Sequence, residues 1–223
     1  MEKLEELRLQ AINCQACPLA VKRTNVVFGE GNPHSPLVLV GEGPGENEDK
    51  TGRPFVGRAG QLLDKALADA GLDRTKVYIC NTVKCRAADW STGKPVNRAP
   101  TDLETLECRQ WLIPQLGLIA PKVILCVGAP SAKNLIKRNF AITKERGLYF
   151  PCEFAKTAIA TLHPAYILRQ QNVQRDDGGY SLLVADIEKA WAAAQKLLEK
   201  GQVETPPSVA AVAAMDEQPG FDL

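Results

Sequence analysis

The stretch with the most chemistry to offer is "GEGPGENED", residues 41–49, which follows the apolar run "PLVLV". It holds three glycines, Pro44, and the acids Glu42, Glu46, Glu48 and Asp49. A glycine loop after a strand is ordinarily a phosphate cradle, because its backbone N–H groups are unhindered and converge on an anion. This loop fails both familiar patterns. A dinucleotide fingerprint needs a third glycine where Glu46 stands, and a P-loop needs Gly-Lys-Ser/Thr where the chain reads Asp49-Lys50-Thr51. Pro44 also removes an N–H donor. The loop suits the close approach of a flat, uncharged ligand, with carboxylates beside it. The competing structural reading is a tight strand-to-helix turn with solvated acids.

The cysteines are the second chemical feature. Cys14 and Cys17 form C-x2-C, and Cys85 and Cys108 are separated by 22 residues. Four such thiolates could converge on one metal or cluster, zinc or iron–sulfur. The spacing does not match a zinc ribbon, whose second pair is usually also C-x2-C. Cys80 and Cys126 lie inside apolar runs and read as core, while Cys152 falls in a loop.

These groups need a scaffold. Four short apolar runs, "LVLVG" (37–41), "VYICN" (77–81), "KVILCV" (122–127) and "TAIATL" (157–162), read as strands buried on both faces of a parallel sheet. Between them "GRAGQLLDKALADAG", "TDLETLECRQWLIPQL" and "SAKNLIKR" have helical spacing, with Thr101 and Glu104 in a capping-box pattern, and a final helix spans about 181–199. The expected fold class is α/β, a three-layer α/β/α sandwich around a central, mainly parallel four-stranded sheet. Ligands of such sheets bind beyond the carboxyl ends of the strands. There the chain puts the glycine loop, Asn81, "GAPSA" and His163.

The 223 residues, 45% apolar and 24% charged, are enough for one substantial core. No stretch is long and apolar enough to span a bilayer, and the charged, amphipathic N-terminus is not a signal peptide, so a cytoplasmic protein is expected. In that compartment the seven cysteines point to a metal or cluster rather than disulfides. We expect a single domain over 1–200 and a disordered acidic tail over 201–223. The tail carries −4, leaving +5 on the first 200 residues, a modest bias permissive for nucleic acid. The tail ends "QPGFDL", a pattern of the kind that binds a sliding clamp.

Taken together, "CQACPLAVKRTNVVFGEG", "VGEGPGENEDKTGRPFVGRAGQLLD", "NTVKCR", "NRAPT" and "ATLHPAYILR" resemble family 4 uracil-DNA glycosylases, the bacterial and archaeal iron–sulfur type, from about residue 10 to 195. The resemblance implies a 4Fe–4S cluster held by Cys14, Cys17, Cys85 and Cys108, with a structural role. It implies a uracil pocket of Glu42, Gly43, Phe55, Asn81 and His163. The chain departs from the family in a longer segment between Cys85 and Cys108, with Ala87 and Ala88 where prolines are common. A related subgroup bonds covalently to DNA through a histidine in an inserted loop. This insert has no histidine, so that chemistry is not expected.

The implied reaction is hydrolysis of the bond between uracil and deoxyribose, after the base is flipped from the helix at a cost of a few kcal/mol. Phe55 offers a stacking surface and Asn81 a donor–acceptor pair matched to the uracil edge. The Glu42 side chain or its loop backbone would exclude the thymine methyl. His163 can donate to uracil O2 as the base leaves as an anion. A carboxylate, Glu42 or Glu48, can stabilise the cation-like sugar and orient water. Glu46 and Asp49 read as a solvated helix start.

For DNA contact, residues 131–150 hold five bases and one acid, and Lys137, Arg138 and Arg169 are candidates, with Arg175 beyond. Tyr166, Ile167 and Leu168 are candidate wedges beside a flipped base. A monomer acting on single- or double-stranded uracil-containing DNA is expected. The alternatives are a non-catalytic iron–sulfur DNA-binding protein of the same fold and a zinc-stabilised nucleotide hydrolase. The second lacks a further cluster of His and Asp ligands.

Overall fold

All four apolar runs form strands, and the order in which they pair creates the site. The structure, a computed structural model, describes residues 2–91, 93–174 and 177–200. The tail from residue 201, with its "QPGFDL" ending, and Arg175 lie outside the described residues. In chain order the elements are helix α1 (Glu2–Ile12), a short 3-10 turn (Pro18–Val21), β1 (Glu30–Gly31), β2 (Leu37–Gly41), α2 (Glu46–Thr51), α3 (Arg58–Asp69), β3 (Tyr78–Asn81), β4 (Ala88–Asp89), β5 (Val96–Asn97), α4 (Asp102–Ile119), β6 (Val123–Val127), α5 (Ala129–Leu135), α6 (Ile142–Glu145), β7 (Phe150–Cys152), β8 (Ala155–Thr161), α7 (Pro164–Gln174) and α8 (Tyr180–Lys200).

The main sheet runs β1-β3-β2-β6-β8-β7. Its inner strands β3, β2, β6 and β8 are parallel, the four expected. Sequence reading missed two short antiparallel edge strands, β1 and β7, so the sheet has six strands rather than four. Their brevity hid them: β1 has two residues and no apolar alternation. Cys152 belongs to β7 rather than to a loop.

Strand alternation divides the core between the two faces of the sheet. Leu37, Leu39, Ile79, Leu125 and Ile159 point to one side, with Leu63 and Leu67 of α3, Ile167 of α7 and Leu183 and Ile187 of α8. Val38, Val40, Cys80, Ile124, Cys126 and Ala158 point to the other, with Leu112 and Leu116 of α4 and Ala132 and Leu135 of α5. Cys80 and Cys126 are thus fully buried core residues.

Helix α4 starts as the pattern at Thr101 requires. Thr101 Oγ1 accepts from Glu104 N at 3.2 Å, and the Thr101 N–H donates to Glu104 Oε2 at 2.8 Å. The chain runs from β2 outward to β3, then back across β2 to β6. That reversal opens a crevice at the carboxyl ends of β2 and β6, where open α/β sheets bind ligands.

Candidate functional site

A cleft of about 550 Å³ occupies this crevice. Its lining brings together Glu42, Gly43, Glu48, Phe55, Asn81 and His163, all the residues assigned to the uracil pocket and both candidate carboxylates. They arrive from separate segments of the chain: the loop after β2, the loop before α3, the end of β3 and the turn between β8 and α7.

Asn81 is the last residue of β3 and pairs with Gly41, the last of β2. It is 2% exposed, and its Oδ1 is buried without a hydrogen-bond partner. An unpaired buried acceptor costs about 1–3 kcal/mol, which a ligand N–H recovers. Gly41 makes this position possible. Its φ is not in the left-handed region, but a Cβ there would run into Asn81 Oδ1 and the Phe55 ring. Sequence reading did not single out Gly41 as a site residue; a glycine ending an otherwise apolar strand was the available signal. At Gly43 a Cβ would meet Val83 Cγ2 at 2.6 Å, so the packing of Val83 also demands that glycine.

Phe55 is held in an uncommon conformation, φ 53°, which a bulky residue adopts only when its surroundings impose it. Arg74 does so: its guanidinium donates to the carbonyls of Pro54 (2.9 Å) and Phe55. Glu30 and Asp64 fix Arg74 in turn, at 2.5 and 2.6 Å. Gly60 leaves room for the Phe55 carbonyl, where a Cβ would collide. The Phe55 ring lies 5.9 Å from the His163 ring at a 31° tilt. No sequence motif pointed to Arg74 as the support of Phe55.

His163 precedes α7, and its Nδ1 accepts from the Ala165 N–H at 3.1 Å. The imidazole therefore caps the helix and carries its proton on Nε2. Burial, reinforced by the Arg169 charge and partly opposed by Glu48, pulls its pKa down to about 4. At neutral pH it is an uncharged donor.

The acids of the loop separate into distinct roles. Glu48 is buried and accepts three backbone N–H bonds, from Val56 and Gly57 on Oε1, both 2.8 Å, and from Gly45 on Oε2, 3.1 Å. It fastens the glycine loop to the segment carrying Phe55. The Glu42 carboxylate has no hydrogen-bond or ion-pair partner among the described residues, and burial raises its pKa above the usual carboxylate range. Glu46 is exposed and pairs with Lys50 at 2.5 Å, as a solvated helix start should. Asp49 does not: it is 3% exposed, and its Oδ1 accepts from the Thr24 and Asn25 N–H groups at 2.9 and 3.3 Å. Asp49 docks the segment after Cys17 onto α2, a long-range contact that a local reading of the loop could not reveal.

Cys14, Cys17, Cys85 and Cys108 all line a second, small and mainly apolar pocket between the end of α1 and the segment that follows it, Lys84 and Cys85 after β3, and α4. The other three cysteines line neither it nor the main cleft. The Lys84 N–H donates to Cys108 Sγ at 3.2 Å and the Arg23 guanidinium to Cys85 Sγ at 3.6 Å. The Trp111 indole N–H of the same pocket is buried without a partner. Burial raises the Cys17 and Cys108 thiols and pushes Cys85 up to about 12. Among the described residues no three Cys, His, Asp or Glu side chains are grouped as a single-ion site.

The longer segment before Cys108 folds into the β4–β5 hairpin, whose end supplies Asn97, Arg98, Ala99 and Pro100 to one wall of the cleft. "NRAPT" contained these residues, but nothing in their types gave them a role. Arg86 is buried and holds the hairpin through Asn97 Oδ1 at 2.7 Å.

Of the expected DNA contacts, Tyr166 is 38% exposed in the first turn of α7, and Arg169 is exposed on the same helix. Ile167 is fully buried, and the "PAYILR" wedge segment is helical rather than a loop. Lys137 pairs with Glu145 and lies against the Phe150 ring. Arg138 is almost fully exposed, 3.9 Å from Asp102.

Residues 28–193 match the family model described as the uracil DNA glycosylase superfamily. The chain is 45% identical over 191 residues to the type-4 uracil-DNA glycosylase of Thermotoga maritima, covering 85% of this chain and 94% of that protein. It is 40% identical over 183 residues to the type-4 enzyme of Sulfurisphaera tokodaii, covering 78% and 80%. With the type-4 enzyme of Archaeoglobus fulgidus the identity is 39% over 183 residues, covering 79% and 88%.

Proposed function

The chain belongs to the uracil-DNA glycosylase superfamily, and on that premise we propose how its residues divide the work of removing uracil from DNA. The observation that carries the reading is the buried, unpaired Asn81 Oδ1 beside Gly41, on the wall of a cleft that also holds an uncharged histidine.

Uracil flipped into the cleft presents N3–H and O4. Asn81 accepts from the first through Oδ1 and donates to the second through its amide. Cytosine reverses the pattern and leaves both partners unpaired, a mismatch worth discrimination of about 10⁴-fold in a desolvated site. Phe55 stacks on the base, locked by Arg74 so that no ordering is needed on binding. To Gly43 and the Glu42 side chain, which line the same cleft, we assign the exclusion of a C5 methyl.

As the C1′–N1 bond breaks, its electron pair moves into the base, and charge accumulates on O2. The His163 Nε2–H donates there, and being neutral it stabilises the anion without first giving up its proton. Water adds to C1′, and its proton passes to Glu42. That carboxylate is unpaired, and its raised pKa brings it closer to the operating pH, as a general base requires. Glu48, with three backbone donors already on its oxygens, serves as the clamp of the loop rather than as the base.

We assign Cys14, Cys17, Cys85 and Cys108 to a 4Fe–4S cluster. The donor set fits: four thiols around one pocket, with the Lys84 and Arg23 donors on two of them and Trp111, whose indole N–H is buried without a partner, in the same lining. The cluster pins the N-terminal segment to the loop after β3 and takes no part in the hydrolysis.

Further parts of the proposal are a single catalytic domain over 1–200, a monomer in the cytoplasm, and a sliding-clamp contact through the tail. No described helix is long and apolar enough to cross a membrane. Contacts to DNA phosphates are proposed for Arg169, Lys137 and Arg138, and a wedge role for Tyr166. The non-catalytic alternative has no support, because Glu42, Asn81 and His163 converge on one cleft.

The test is incubation with a uracil-containing oligonucleotide in the absence of added metal, followed by alkali. Strand breaks at uracil are expected. Their absence in protein with full iron content overturns the reading. Asn81→Asp presents an acidic group that can pair with cytosine, and slow cytosine removal is expected; unchanged selectivity refutes the role of Asn81.

A further inference from the structure

Lys84 is the largest fully buried side chain among the described residues, 1% exposed, and nothing in the proposed reaction uses it. Burying a lysine forfeits hydration and rotamer freedom, so it is rarely retained without specific partners. Here the partners are precise in direction. Its Nζ donates to the Asn81 carbonyl at 2.9 Å and to Gln115 Oε1 at 2.5 Å, and lies 5.7 Å from the Phe28 ring centroid. Gln115 passes the contact on, donating to Phe28 O at 2.9 Å and Tyr78 Oη at 3.1 Å.

The backbone of Lys84 is equally committed. Its N–H donates to Cys108 Sγ at 3.2 Å, and its carbonyl accepts from the Val27 N–H at 2.7 Å. Thr82 and Val83 beside it donate to the carbonyls of Gly41 and Glu42 at 2.9 and 3.1 Å. The stretch "NTVKC" therefore leaves the cleft at Asn81 and enters the cysteine pocket at Cys85 within five residues. The β3 ladder ends at Asn81, and Lys84 Nζ supplies the donor its carbonyl would otherwise lack there.

We propose that Lys84 is a positioning residue that couples the cysteine pocket to Asn81, its side chain fixing the base-reading residue while its backbone N–H holds Cys108. This inference rests on the assignments of Asn81 and of the four cysteines made above.

The test compares Lys84→Met, which keeps length and loses the donors, with Gln115→Leu, which keeps the lysine and removes one acceptor. Both are made in the full chain and purified with iron. For folded Lys84→Met we expect kcat on a uracil oligonucleotide to fall about tenfold or more with KM nearly unchanged, as for loss of an interaction tightened in the transition state. We also expect its iron to be lost to a chelator about tenfold faster, followed by visible absorbance. Gln115→Leu should shift both readouts the same way by less. A purely structural role lowers the melting temperature of Lys84→Met and leaves kcat and iron loss of the folded protein at wild-type values; that result overturns the proposal. Should Lys84→Met not fold, wild-type kcat and iron loss in Gln115→Leu overturn it equally. Wild-type protein that purifies without iron would refute the cluster assignment alone, because the kcat comparison reads the Asn81 coupling separately.

Discussion

Gly41 and Asn81 stand side by side in the sheet, and the space a side chain would fill on Gly41 is occupied by Asn81 Oδ1 and the Phe55 ring. The glycine is required by what approaches it and not by its own backbone. Gly41→Ala should therefore displace Asn81 and Phe55, the proposed base reader and stacking ring, together. We expect kcat/KM on uracil DNA to fall about 100-fold, in line with the effect of small misplacements of reacting groups. Steady-state kinetics at full iron content measures it; a variant within threefold of wild type would show that Asn81 and Phe55 do not need their present positions.

The two carboxylates of the cleft should separate under conservative substitution. Glu48→Gln replaces an acceptor of three backbone N–H bonds with an amide whose NH₂ faces one or more donors. We expect a stability loss of about 2 kcal/mol, seen as a drop of several degrees in Tm, together with lower activity. Glu42→Gln breaks no hydrogen bond among the described residues. It should leave Tm in place and lower kcat. Thermal unfolding and kinetics on the same preparations decide the point, and the reverse pattern would exchange the two roles.

The inner sheet, the α4 cap and the convergence of polar groups at the strand ends were legible because each rests on local pattern: apolar runs, capping residues, and the rule for where parallel sheets bind. What escaped was nonlocal. Arg74 is an unremarkable basic residue until folding brings its guanidinium to the Phe55 carbonyl. Asp49 looks like one more helix-start acid until it captures the Thr24 N–H. The edge strands β1 and β7 are too short for a period to show. The insert's contribution to the cleft wall depends on a hairpin held by the buried Arg86.

Cysteine replacement should follow location in the fold. Cys108→Ser removes a thiol of the shared pocket, whereas Cys152→Ser alters one outside that pocket, whose Sγ donates to the Leu135 carbonyl at 3.9 Å. We expect Cys108→Ser to lose bound iron and visible absorbance and to unfold at lower temperature, and Cys152→Ser to retain both. Iron retained at wild-type stoichiometry in Cys108→Ser would remove it from the ligand set.

The pH dependence joins the remaining two groups. His163 titrates near 4 in the folded chain against an ordinary 6.5, its burial being the main cause and the Arg169 charge the next. Its folded pKa is depressed, so the unfolded chain binds the proton first. Its stability contribution is complete above about pH 6.5 and is lost as pH falls toward 4, by about 3 kcal/mol. The uncharged donor proposed for uracil O2 thus persists well below pH 6.5. Glu42 moves the other way: burial raises its pKa, and protonation would abolish the base role proposed for it. The acid limb of kcat/KM should therefore report Glu42, above the usual carboxylate range, with no inflection at pH 6.5. In the residual activity of Glu42→Gln that limb should move down to about pH 4, where His163 takes its proton. NMR titration of the His163 ring, run beside the pH–rate profile, checks the assignment directly. A ring that titrates at 6.5 would place a cation in the cleft at the wrong pH and undo the neutral-donor account.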